Sequence, residues 1–250
     1  MKLLKRQTNT NRTAYATFLH ILFVSALPLL VYVLVRLDFA WIALLLILLG
    51  KWRMFAVKAR HWPANVRANA VDITVGISVV AFMFLAETQA VQLLWAALHA
   101  VWLLVIKPQS GALWTGIQAL IAQSVSLIAL FLFWSEASTL TLVVATWVVC
   151  YFSARHFLTA FDETMSQATA YAWAFFAAST AWLASRWLIF YGPVAQPALI
   201  LSVLGYGLAA MYYLQHTDRL SKNVKLQFIG VMGGIILFLI IFSDWSDKTI

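Results

Sequence analysis

The densest group of side chains able to do chemistry is Arg155, His156, Asp162 and Glu163, which close an apolar run. If a helix continues through them, Arg155 shares a face with Asp162 and His156 with Glu163, so each base can pair with an acid. His216 and Asp218 end another apolar run in the same expected compartment, and the ligand types suit zinc or manganese. No His-Glu-x-x-His and no acidic repeat able to hold magnesium and a phosphate fixes these residues together. No metal, cofactor or catalytic residue is therefore assigned. An arginine near an interface snorkels, and a cation at a helix C-terminus is favoured by the dipole, so the cluster has a structural explanation as well.

A second set lies inside apolar runs: His20, His99, Gln118 and Gln123. Trp95 and Trp102 share a face with His99. Together the four form a candidate polar path for a small solute. Polar side chains also commonly join membrane helices, which is the plainer expectation here and extends to Ser124 and Ser126.

The third set is Lys51, Arg53, Lys58, Arg60 and Arg67, interleaved with Trp52, Met54, Phe55 and Trp62 and containing Pro63. Cations mixed with aromatics suit a membrane surface, each worth about 1 kcal/mol near an anionic leaflet. The same charges would also serve simply to orient neighbouring helices.

The elements that must carry these residues are set by composition. Of 250 residues, 63% are hydrophobic and 10% charged, against about 45–50% and about 25% in a soluble domain. A hydrocarbon core of about 30 Å needs about 20 apolar residues at 1.5 Å each. Segments that meet or approach this are Ala14–Val35, Phe39–Phe55, Ala70–Leu85, Ala90–Ile106, Gly111–Trp134, Leu140–Leu158, Ala168–Phe190, Pro197–Leu214 and Phe228–Phe242. The expected fold is all-α, a polytopic transmembrane bundle of about nine spans. The first run lacks a small-residue cleavage pattern and is read as a retained helix.

The second run is the weakest, because its uninterrupted apolar stretch is short. Charge decides it. With nine crossings and a cytoplasmic N terminus, fourteen of the 17 cations lie inside: Lys2, Lys5, Arg6, Arg12, Lys51, Arg53, Lys58, Arg60, Arg67, Lys107, Arg155, Arg219, Lys222 and Lys225. Arg36, Arg186 and Lys248 lie outside, as does the C terminus. Omitting the second span would place Lys51 to Arg67 outside, against the positive-inside bias.

The domain reading is then a basic cytoplasmic segment over 1–13, one helical membrane domain over 14–243 with a basic interfacial loop near 51–69, and an external tail over 244–250. The net charge of +8 reports orientation in the cytoplasmic (plasma) membrane, and no nucleic-acid partner is expected. Cys150 is the single cysteine, so no intrachain disulfide can form. A retinal pump would need a lysine deep in a span, and a phosphate-cradling Gly-rich loop and a Gly-x-Ser-x-Gly elbow are both missing.

The expectation for function is a non-catalytic membrane subunit or scaffold. It would bind anionic headgroups of membrane lipids, and a membrane-protein partner or a second copy. A transporter or channel for a small solute or lipid is the alternative, followed by a lipid-modifying membrane enzyme.

Overall fold

A computed structural model describes residues 21–161, 163–185, 190–191 and 194–243. Among them run nine helices: α1 (Ile21–Arg36), α2 (Ala40–Leu49), α3 (Trp62–Leu85), α4 (Gln89–Val101), α5 (Ala112–Phe133), α6 (Thr139–Thr159), α7 (Ser166–Ala184), α8 (Gln196–His216) and α9 (Lys222–Phe242). Six are long and apolar enough to cross a membrane: α3 with its preceding turn, α4 with its extension to Ile106, α5, α6, α8 and α9. The chain is a helical membrane bundle, as its composition requires. The segment 1–13, His20, Asp162 and the tail 244–250 lie outside the described residues, as does the side chain of Arg53.

The helix boundaries follow local chemistry. Thr88, Ser138 and Ser221 cap α4, α6 and α9, each hydroxyl accepting from a backbone N–H three residues on at 3.3–3.4 Å; such caps are worth about 1 kcal/mol each. Pro63 and Pro197 sit in the first turns of α3 and α8, where a missing N–H costs no hydrogen bond. Gly111, just before α5, has φ of 107°, a conformation that glycine adopts without steric penalty.

Two sequence expectations need correction. The stretch 51–69 is not a loop throughout, because Trp62 begins α3, while Trp52–Met54 and Ala59–His61 form single 3-10 turns. Apolar scoring started the span at Ala70 since Asn65, Arg67 and Asn69 dilute the first turns. Nor does α6 continue through Glu163, because the helix ends at Thr159. The seven-residue face pairing of His156 with Glu163 is thereby lost.

Successive helices run in opposite directions, as their hydrogen bonds show. One end gathers the α2–α3, α4–α5, α6–α7 and α8–α9 connections: Lys51 and Lys107 both reach Asp72, Arg155 reaches Ser166, and Tyr212 reaches Glu163. At the other end, Gln89 on α4 donates to Tyr32 on α1 at 2.8 Å, and Gln196 on α8 donates to Ser243 after α9 at 3.2 Å. The first is called the basic end below.

The core has three parts, the smallest of which gathers Ala119, Phe157, Leu158, Phe161 and Ala170 where α5, α6 and α7 meet. Val31, Val35, Ala43, Ile47, Val75, Val79 and Met83 join α1 to α4, and Leu127, Phe131, Leu142, Cys150, Ala177 and Leu201 join α5 to α8. Helices α3 and α5 pack together between these two larger parts, with Ser78 donating to Ser126 at 3.1 Å. On α7, Ala170, Ala174, Ala177 and Ala181 are fully buried, the small-residue pattern that lets helices in lipid approach closely. Its main neighbour is α6.

Candidate functional site: a buried ionic cluster and an apolar cavity

Asp72 lies ten residues into α3, about 15 Å from the helix start, and its side chain is 8% exposed. An isolated carboxylate there would be costly, so its partners define the site. Lys51, just after α2, and Lys107, just after the α4 extension, both donate to Oδ2. Trp102 Nε1 donates to Oδ1 at 2.8 Å. One carboxylate thus ties together segments from three parts of the chain. Two ammonium groups against one carboxylate leave the cluster net positive, and Lys107 is the more open cation at 38% exposure.

The backbone is adapted to this arrangement. Residues Trp102–Ile106 extend α4 as a π-helical turn, a rare geometry often found where function displaces the regular ladder. It sets the angle between Trp102 and Lys107, so that both point at Asp72. His99 lies one turn before Trp102, is 2% exposed, and its Nδ1 has no hydrogen-bond partner. Gln92, two turns further back, likewise has an unpartnered buried Oε1 while its Nε2 donates to Met83 O at 3.2 Å. Trp95 stacks on Phe82, with ring centroids 4.4 Å apart.

A second polar group adjoins the first. Gln118 on α5 donates through Nε2 to Ile106 O at 2.9 Å and Gln109 O at 3.1 Å. Its Oε1 is 3.0 Å from His156 Nε2. The expected cluster at the end of α6 is therefore divided: His156 turns to α5, Arg155 donates to Ser166, and Glu163 accepts from Tyr212. His216 packs edge-on against Phe161 at 4.9 Å. Asp218 occupies a left-handed turn with φ of 54°. Among the described residues no three of His, Cys, Asp and Glu converge as a metal site would require.

The expected polar path is also divided. His99 belongs to the Asp72 neighbourhood and Gln118 to the α4–α5 connection. Gln123 donates to Leu201 O on α8 at 2.9 Å and accepts from Trp173 Nε1 on α7 at 3.0 Å. These are crosslinks between helices.

In the third set, Lys58, Arg60 and Arg67 are exposed. The segment folds back on α3, with Trp62 Nε1 donating to Phe55 O and Val57 O at 3.2 and 3.1 Å and Asn65 donating to Met54 O at 3.1 Å. It forms an ordered ledge that carries cations outward. Lys51 departs from this pattern by turning inward to Asp72.

A cavity of about 490 Å³ lies between α5, α6, α7 and α8. Its deep wall is Ala119, Gln123, Ser153 and Phe157, all buried, while Thr169, Ala172, Phe176 and Leu208 are exposed at its mouth. The mouth therefore opens sideways between α7 and α8, which touch only sparsely.

Asp72, Lys107 and Trp102 were not singled out by sequence reasoning as a site. The available signal was an aspartate within an apolar run, with lysines ending two neighbouring runs at the same expected side. Comparison with family models, curated proteins and solved structures finds no match to this chain.

Proposed function

We propose that this chain is a multi-pass protein of the cytoplasmic membrane that crosses the bilayer nine times, with its basic end and N terminus in the cytoplasm and its C terminus outside. We assign it the role of a non-catalytic membrane subunit or scaffold that engages anionic lipid headgroups and a protein partner. The alternation of helix directions supports the topology. So does charge among the described residues: Lys51, Lys58, Arg60, Arg67, Lys107, Arg155, Arg219, Lys222 and Lys225 belong to the basic end and Arg36 to the other, while Arg186 and Lys248 lie outside the described residues, a split of the kind a positive-inside protein has. Helix α2, at ten residues, covers about 15 Å, half of a core of about 30 Å, so the second crossing also needs the residues up to Phe55, and the Lys51–Asp72 pair gives the helix a polar terminus below the headgroups.

The observation that carries the scaffold reading is the engagement of Asp72. Its charge is taken up in holding α3 to the segments after α2 and α4, a structural use of an intramembrane acid. Lipid engagement is supported by the exposed Lys58, Arg60 and Arg67 beside the exposed Trp52 and Trp62. A partner is supported by α9, whose spanning window is only 6% buried and whose Leu226, Val231, Leu237 and Ile241 are exposed. The test is binding of the purified protein to liposomes with and without phosphatidylglycerol. Replacing Arg60 and Arg67 with glutamine should weaken binding to the anionic vesicles alone. Unchanged binding would remove the headgroup role.

One observation favours transport as a second reading. His99 Nδ1 and Gln92 Oε1 are buried without partners on one face of α4, and such groups are met in other proteins by water. Solute flux in proteoliposomes that H99L abolishes would favour this reading over the scaffold.

A further inference from the structure

We propose that the cavity between α5, α6, α7 and α8 is a lipid site that holds one hydrocarbon chain of a glycerophospholipid, with the lipid phosphate at the basic end beside Arg155. The proposal rests on the membrane reading above but concerns a different surface from the basic ledge. Three observations converge on this occupant. The cavity's volume of about 490 Å³ lies within the about 300–1,000 Å³ typical of ligand pockets, and its walls are alanine, leucine, phenylalanine and tryptophan side chains with few polar groups. Gln123, on the deep wall, already donates to Leu201 O and accepts from Trp173, so the polar atom best placed to select a solute is committed to the protein.

The cavity is also placed as a lipid requires. It runs along α8 from Leu204 to Tyr212, about 12 Å, within the half of the bundle nearest the basic end. Its mouth opens sideways, so a chain can enter from the bilayer without passing through water. Gly205 is part of the wall, and a Cβ there would collide with the Gln123 amide. The absence of a side chain at 205 therefore lets the Gln123 amide lie against α8 and reach Leu201 O.

The charge stands beside the cavity, outside its lining: Arg155 follows the wall residue Ala154 on α6. Ser166 lies one turn before the mouth residue Thr169 on α7 and accepts from Arg155, whose Nε is buried without a partner. That Nε is enclosed by protein, but Arg155 as a whole is only half-buried, so the remainder of its guanidinium is what an anionic oxygen would meet. Among the described residues the acid nearby is Glu163, which accepts from the Tyr212 hydroxyl. The pairing is a chain in the cavity and a phosphate against Arg155.

The test is native mass spectrometry of the full chain, purified in mild detergent and supplied with phosphatidylglycerol or with diacylglycerol of the same chains. The parent protein should retain one phosphatidylglycerol in preference to diacylglycerol. A209F fills the cavity from α8, and A172F obstructs it at the exposed mouth, where the fold tolerates bulk. Each should lower retention by about tenfold or more, equivalent to about 1.4 kcal/mol, with melting temperature reporting that the variant remains folded. R155Q should abolish the preference for the phosphate while leaving chain binding. Absence of retained lipid in the parent, or retention by a folded A172F equal to the parent's, overturns the site. An unchanged phosphate preference in R155Q overturns the headgroup assignment. Liposome binding through Arg60 and Arg67 is read separately, so either interaction can fail without the other.

Discussion

Lys107 and Asp72, 35 residues apart in the chain, meet across the α3–α4 hairpin in a contact that also includes Lys51. The pairing fixes which end of α4 approaches α3, and it holds the short α2 segment against both. Removing the carboxylate leaves two ammonium groups close together with no counter-charge. D72N should therefore destabilise the protein by about 3–5 kcal/mol, read as a large fall in melting temperature in detergent. K107M should cost less than K51M, since Lys107 is the more exposed of the two. Equal, small losses in all three would show that the cluster contributes little to the fold.

Gln118 joins the α4–α5 connection to His156 on α6. Q118L removes the partner of the Ile106 and Gln109 carbonyls and of one histidine nitrogen. A loss of about 1–3 kcal/mol is expected. The double variant Q118L/H156L should lose less than the sum of the two single variants. Additive losses would disprove the coupling.

Two glycines, one on α8 and one on α9, give a contrasting pair. A Cβ at Gly207 would run into the Met232 side chain of α9, whereas one at Gly230 meets nothing within 4 Å. G207V should part α8 from α9 and lower stability by about 1–3 kcal/mol through overpacking. G230V should leave the melting temperature of the monomer unchanged. Thermal denaturation of both variants decides the matter, and a larger effect at Gly230 would mean that α9 packs differently.

The nine-span topology can be read by cysteine labelling, since Cys150 is buried and inaccessible to a polar reagent. K58C and K222C should react with a membrane-impermeant maleimide only after the cells are opened. E87C should react in intact cells. Labelling of E87C and K58C from the same side would refute the alternation.

The helices were legible in the sequence because apolar runs and charged gaps follow directly from the cost of placing polar groups in lipid. The second run was legible only in part: it was expected to span over Phe39–Phe55, whereas the helix there covers Ala40–Leu49 and gives way to a 3-10 turn at Trp52–Met54. The role of Asp72 was not legible, because a tally of charges by side treats Asp72, Lys51 and Lys107 as three independent labels of one compartment. Their meeting depends on the angle at which α3 faces α4. The division of Arg155, His156 and Glu163 was hidden for a related reason: facing seven-residue neighbours assumes an unbroken helix, and α6 ends at Thr159. The lateral cavity has no sequence signature at all, since alanine and glycine serve close packing and open space equally well.

The π-helical turn at Trp102–Ile106 amounts to one residue beyond a regular α-helix. Deleting Val105 would let the ladder close normally, yet it would swing Lys107 by about 100° relative to Trp102 and carry the ammonium away from Asp72. The locally better helix and the globally better assembly are thus in conflict, a small island of frustration in an otherwise consistent chain. Insertions and deletions in this stretch should consequently be far less tolerated than substitutions.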